Sequence, residues 1–281
     1  MRNPGWIMIT LKGKNQIAKF RQVAEELAAQ VSQLGGVAGI IFIGGLAREF
    51  ADKYSDLDIT VLIRKESSEL KRQVRRLADE RSKSSGIDID LEVHSLASWK
   101  KRKWDEVDRW DYSKAEVTFD PKGELKELVT AKLKTHEDLW LRRIVTCAEY
   151  MKWYACPPAE DAATIAETWI NRGDLISAHY SLSYAADLIL EALYALNREF
   201  LPPQKWRIHS SYSLKWLPSD YEKLLREALT VRNLSTRELE RRMRTIRKLW
   251  SEILNKIEHE TEFTAQQLSK HYVKTVLNQN F

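Results

Sequence analysis

The heptapeptide Ile87-Asp88-Ile89-Asp90-Leu91-Glu92-Val93 alternates without a fault between aliphatic and acidic side chains. A side-chain period of two fits a strand, with Ile87, Ile89, Leu91 and Val93 on one face and Asp88, Asp90 and Glu92 on the other. The aliphatic face needs a core to cover it. The acidic face is expensive on a half-buried strand unless it meets solvent or cations. The fold must therefore bury one side of this strand and leave the other open.

The surrounding sequence supplies partners for it. Val37 to Ile43 is a short apolar, β-branched run ended by Gly44-Gly45, which predicts a buried strand; Leu57 to Ile63, with Asp56 and Asp58 at its start, predicts a second. Ala115 to Phe119 is a candidate further strand, closed by the turn sequence Asp120-Pro121-Lys122-Gly123. Helical spacing of Ile17, Phe20, Val23, Leu27, Val31 and Leu34 places a first helix over about Asn15 to Leu34. Leu46 to Lys53 is long enough for a short helix, and Ser67 or Ser68 can cap another that carries Leu70, Val74 and Leu77.

From Glu124 the character changes, and 124–155, 159–171, 174–198, 219–232 and 235–260 all read as helices. Leu201-Pro202-Pro203-Gln204-Lys205-Trp206 reads as a non-helical interruption, since two prolines forbid a continuous helix. The expected fold class is α+β: a mixed-sheet domain over residues 1–122 followed by an all-helical bundle domain over 123–281.

Composition narrows the function classes. Of 281 residues, 43% are hydrophobic and 30% charged, which is ordinary for a globular chain with a sizeable core. The net charge of +5 is spread evenly: residues 1–122 hold 22 Lys and Arg against 19 Asp and Glu, and the remainder 23 against 21. With no basic half or tail, nucleic acid is not the expected partner, and the Lys71 to Lys83 helix and the Lys100 to Lys103 run read as solvated faces. Only Cys147 and Cys156 occur, too few for a disulfide framework or a cysteine zinc site. The longest uncharged run, Leu27 to Ala47, is broken by five glycines and makes a poor bilayer span, so the expectations are no membrane, a cytoplasmic setting, and room for a homo-oligomer.

Chemistry concentrates where the strands begin and end. Asp56 and Asp58 at i, i+2 point to the same side of a strand, where two carboxylates can share a hard cation. Gly44 and Gly45 let backbone N–H groups approach a phosphate. Ile43-Gly44-Gly45-Leu46-Ala47-Arg48-Glu49 followed by Ser55-Asp56-Leu57-Asp58-Ile59 resembles the Gly-Ser-x-x-Arg-Gly...Ser-Asp-x-Asp signature of the polymerase β-like nucleotidyltransferases, especially the antibiotic-modifying and minimal members. Asn197 to Trp206 is similar to a segment in the helical C-terminal domain of lincosamide and aminoglycoside nucleotidyltransferase-like proteins. One departure is visible: the family's serine is Gly45 here, so a hydroxyl contact to the nucleotide phosphates is missing.

The resemblance implies transfer of a nucleoside monophosphate, AMP in the first instance, from a nucleoside triphosphate co-substrate to a hydroxyl of a small molecule. It implies one or two Mg²⁺ ions on Asp56, Asp58 and a third carboxylate. Glu92 is the favoured third carboxylate and general base, with Asp90 the runner-up. Gly44, Gly45, Arg48, Ser55 and Lys205 are the expected nucleotide-binding residues, Lys205 and Trp206 coming from the helical half as the closing wall. Gly45 also favours a different reading, an antitoxin-like module that binds nucleotide or a partner without turnover; transfer to RNA or protein is a third. His94 shares the acidic parity and reads as a hydrogen-bonded structural histidine. The spacing of Arg172 and His179 resembles the Arg-x(4 to 6)-His motif of HEPN ribonucleases, but Asn171-Arg172-Gly173-Asp174 is also a helix stop followed by an N-cap, the reading favoured here.

Overall fold

The computed structural model describes residues 13–157 and 162–277. The chain divides into two compact units, one ending at Lys134 and the other running from Thr135. The first is built on a four-stranded mixed sheet in the order β3-β2-β1-β4, with β1 at Val37–Phe42, β2 at Leu57–Ile63, β3 at Ile89–Ser95 and β4 at Glu116–Phe119. β1 pairs antiparallel with both β2 and β4, and β2 pairs parallel with β3. The parallel pair needs a crossover. Helix α3 (Ser68–Ser85) makes it, capped by the Ser67 hydroxyl, which accepts from the Leu70 N–H at 3.2 Å.

Alternation along the strands, interrupted in β1 by an irregularity between Val37 and Gly39, sorts side chains to two faces. On one, Ile40, Phe42, Leu57, Ile59, Val61, Ile63 and Val93 form a core with Phe20, Leu27 and Val31 of α1 (Ile17–Ser32) and with Leu70 and Val74 of α3. On the other, Ala38, Ile41 and Leu62 meet Trp99, Trp104, Tyr112, Leu125 and Val129. This second face also carries the acidic positions of β2 and β3, so its aromatic packing stops where the carboxylates begin.

Three differences from the sequence reading bear on the site. The short helix α2 occupies Gly44–Ala47, starting on the glycine pair itself. The tryptophan-rich stretch after β3 folds into two helices, α4 (Leu96–Lys101) and α5 (Glu106–Ser113). The helix expected over 124–155 is two: α6 (Glu124–Leu133) buries Leu125 and Val129 within the sheet unit, and α7 (Glu137–Tyr154) opens the second unit. Tertiary packing breaks the helix at 134–136, because its two apolar stripes serve different cores.

The second unit is helical: α7, α8 (Ile165–Asn171), α9 (Leu175–Leu196), α10 (Gln204–Ser211), α11 (Tyr221–Leu229), α12 (Thr236–Thr261) and α13 (Ala265–Tyr272). The helix expected over 159–171 begins in residues that lie partly outside the described ones. α9 is apolar nearly all round and packs against α7, α8, α10, α11 and α12, as a central helix must. The Leu201 to Trp206 interruption is shorter than expected. Pro203 is the N-cap of α10, so Lys205 and Trp206 lie in that helix's first turn. Proline suits such an end, where its missing N–H would have no helical partner. No helix among the described residues is long and apolar enough to cross a membrane.

Candidate active site

The site is assembled from the end of β1, the start of β2 and the open face of β3. Gly44 has φ +59°, and a Cβ built on it would lie 1.7 Å from Oδ2 of Asp58. Only a bare Cα lets that carboxylate rest against the loop. At Gly45 a Cβ would sit 2.7 Å from the carbonyl oxygen of Phe50. The chain turns back here, with the Arg48 and Phe50 N–H groups both donating to the Gly45 carbonyl, at 3.2 and 3.1 Å, and with Glu49 left-handed at φ 58°. The absent serine thus has a local cause: the tight return of the chain occupies the volume its side chain would need.

Arg48 follows directly. Its guanidinium lies 3.5 Å from the centroid of the Trp110 ring and donates to Asp111 at 3.2 Å. Burial draws its pKa below the ordinary arginine value, while Asp111 and Asp58 oppose that shift. The arginine of the motif is therefore braced by two residues of α5 and lies within the electrostatic reach of Asp58.

Asp58, Asp90 and Glu92 share one face of the sheet, and Asp56 stands exposed just before β2. In the parallel β2–β3 pair Asp58 is the register partner of Asp90, and Thr60 that of Glu92. Two carboxylates directly opposite each other repel unless a cation lies near. Beyond them the Thr60 and Tyr112 hydroxyls are hydrogen-bonded at 2.8 Å. Burial raises the Tyr112 pKa to about 12, and the charge of Glu92 acts in the same direction. Trp104 stacks on Tyr112 at 4.5 Å between ring centroids, and Trp99 meets it edge-on at 5.4 Å.

Glu92 is engaged by two groups. His94 Nε2 is 3.0 Å from its Oε2, and the Arg102 guanidinium is 3.5 Å from the same oxygen. His94 thus has the hydrogen-bonded setting expected of it. Arg102, Asp108, Trp110 and Asp111 were not legible as site residues: the Lys100 to Lys103 run reads as a solvated face, and it is the C-cap of α4 and the helix α5 that bring these side chains in.

The other expected residues divide. The Ser55 hydroxyl serves a turn: it accepts from the Asp52 N–H at 3.0 Å and donates to Asp52 Oδ1 at 3.4 Å. Lys205 belongs to the helical unit and is exposed in the first turn of α10. Arg172 is the C-cap of α8, its guanidinium 5.0 Å from the Trp169 ring centroid, and Asp174 caps α9 by accepting from the Ser177 N–H at 3.0 Å. Among the described residues no three His, Cys, Asp or Glu side chains are grouped so as to hold a metal ion by themselves. The donors present at the glycine loop are carboxylate oxygens, the ligand type Mg²⁺ takes when one or two carboxylates bind it together with substrate phosphates.

Residues 24–147 match the family model of the nucleotidyltransferase domain. No curated protein matches the chain. Among solved structures, a nucleotidyltransferase-like protein from Exiguobacterium sibiricum 255-15 is similar at 11% identity over 86% of this chain and 77% of that one, with a TM-score of 0.39. A mutant of the toxin-antitoxin MntA-HpeT is similar at 16% identity over 47% of this chain and 97% of that one, TM-score 0.31. The complex of tri-AMPylated Shewanella oneidensis HEPN toxin with MNT antitoxin gives 15% identity over 48% and 97%, TM-score 0.29.

Proposed function

We propose that this chain, which belongs to the polymerase β-like nucleotidyltransferases through its domain at residues 24–147, moves a nucleoside monophosphate, AMP in the first instance, from a nucleoside triphosphate to a hydroxyl of a small molecule. The observation that carries the reading is the register of Asp58 with Asp90, beside a glycine loop into which the Asp58 carboxylate fits.

In this reading Asp56 and Asp58 hold Mg²⁺; Asp90, the register partner of Asp58, takes the place of third carboxylate for which the sequence favoured Glu92, and Glu92 keeps the role of base. When bound, the ion neutralises charge on the phosphates and on the departing pyrophosphate. The chain's own residues do the rest. Gly44 and Gly45 bring main-chain N–H groups to the phosphates without a side chain in the way, and Arg48, braced by Trp110 and Asp111, adds positive charge beside Asp58. Glu92, one pleat further along β3, takes the proton of the acceptor hydroxyl as its oxygen attacks the α-phosphorus. The bond from that phosphorus to the bridging oxygen breaks and pyrophosphate leaves.

The test is the double variant Asp56→Asn, Asp58→Asn. It should lose the Mg²⁺-dependent part of ATP binding in calorimetric titration and lose label transfer from α-labelled ATP to a panel of hydroxyl acceptors, while the melting temperature holds. Unchanged Mg²⁺-dependent affinity would overturn the assignment.

A further inference from the structure

The two contacts on Glu92 fall on one oxygen. His94 Nε2 and the Arg102 NH1 group both address Oε2, so Oε1 is the oxygen that neither of them claims. Arg102 is itself fixed from several sides. Its NH2 group donates to Asp108 Oδ1 at 2.5 Å, its N–H to the Ser98 carbonyl at 3.0 Å, and its carbonyl accepts from Lys132 Nζ at 2.6 Å. Asp108 is held in turn by a capping box: its N–H donates to Asp105 Oδ1 at 2.8 Å, and its Oδ2 accepts from the Asp105 N–H at 3.2 Å. A partly exposed glutamate on an open strand face is thus tied to a helix terminus through a single guanidinium.

We infer that Arg102, anchored by Asp108, is a positioning residue for Glu92: it holds Oε2 and leaves Oε1 to receive the proton of the acceptor hydroxyl. The inference rests on Glu92 being the base. An unrestrained glutamate samples several rotamers, each unproductive one lowering the fraction of complexes ready to react. A guanidinium suits the task because two of its nitrogens can serve two carboxylates in a fixed plane. The lysine that could replace it is a point charge and cannot bridge Asp108 and Glu92 in the same geometry.

The experiment uses the full chain, α-labelled ATP with Mg²⁺, and the acceptor that the wild type labels best in a panel of polyols, sugars and amino sugars. Arg102→Ala should lower kcat about 10- to 100-fold, the range for outer partners of a site group, while the KM for ATP stays within about 2-fold. Arg102→Lys should recover part of the loss. Asp108→Asn should show a smaller loss of the same kind, and Arg102→Ala with Asp108→Asn should be no worse than Arg102→Ala alone, since both act through one link. Crystal structures supply a readout independent of turnover: Glu92 in a single rotamer on His94 and Arg102 in the wild type, and released in Arg102→Ala. Glu92→Gln is measured alongside. If it abolishes transfer while Arg102→Ala leaves both kcat and the Glu92 rotamer unchanged, the positioning role is overturned and the base stands. If Glu92→Gln transfers normally, the base falls and the inference with it. A drop in melting temperature with a normal kcat per folded molecule would make Arg102 structural only.

Discussion

Gly45 shows how one residue can separate a motif from its usual chemistry. From the sequence its glycine is a missing hydroxyl, and the obvious repair is serine. The structure gives another reason for glycine, because a Cβ there would press to 2.7 Å from the Phe50 carbonyl, and the Phe50 N–H closes the turn on the Gly45 carbonyl. Gly45→Ser should therefore destabilise the protein by about 1 to 3 kcal/mol, the usual cost of forcing atoms into a filled space, and should not tighten ATP binding. Urea unfolding and calorimetric titration decide it; a serine variant of wild-type stability that binds Mg²⁺·ATP more tightly would show that the loop can open. At this scale the strand residues were legible and the loop was not. Parity alone puts Asp90 with Glu92, because the period of a strand is fixed, whereas Asp56 falls just before β2, where that period does not apply. The register that sets Asp58 opposite Asp90 and Glu92 opposite Thr60 is a long-range fact that no local pattern carries.

Helix α5 is the element on which the site most depends and the one its sequence least announced. In eight residues it provides Asp108 to Arg102, Trp110 and Asp111 to Arg48, and Tyr112 to Thr60. The pattern Asp105-x-x-Asp108 is a helix-start signal, but with aspartate where glutamate or glutamine is usual, and the tryptophans around it give no clear helical stripe. Because one short helix braces two arginines, its cap should matter to function although Asp105 itself touches neither arginine. Asp105→Ala should cost about 1 kcal/mol of stability, the typical value of a lost N-cap, and should lower both ATP affinity and turnover. Asp105→Ser keeps a capping oxygen and should restore them. Loss of stability with wild-type affinity and turnover per folded molecule would mean that the arginines do not depend on α5. α10 shows the other use of proline: the two prolines exclude a continuous helix over Leu201 to Trp206, yet Pro203 is also the N-cap from which α10 starts.

At the scale of the whole chain, the helical unit holds a titrating contact of its own, apart from the carboxylates of the proposed active site. The sheet unit carries the carboxylates of the proposed active site; the helical unit buries an arginine. Arg242 is almost fully enclosed, with Nε donating to the Ala228 carbonyl at 2.6 Å, NH1 at 2.7 Å from His179 Nδ1 and NH2 at 3.4 Å from the Ser183 hydroxyl. A guanidinium has only donors, so His179 must present a bare Nδ1 and stay neutral. Burial first, and then the charge of Arg242, lower its pKa from the ordinary histidine value of 6.5. The unfolded chain therefore binds the proton more readily than the folded one, and stability rises with pH across that interval. The contribution is fully present above pH 6.5, the unfolded value, and is lost as pH falls through the lower folded value. Glutamine can offer Arg242 an oxygen without titrating. The melting temperature of the wild type should thus fall between about pH 7.5 and pH 5.5, the range in which histidine charges, more steeply than that of His179→Gln. Equal slopes in the two proteins would place the acid sensitivity elsewhere and leave the Arg242–His179 contact as packing alone.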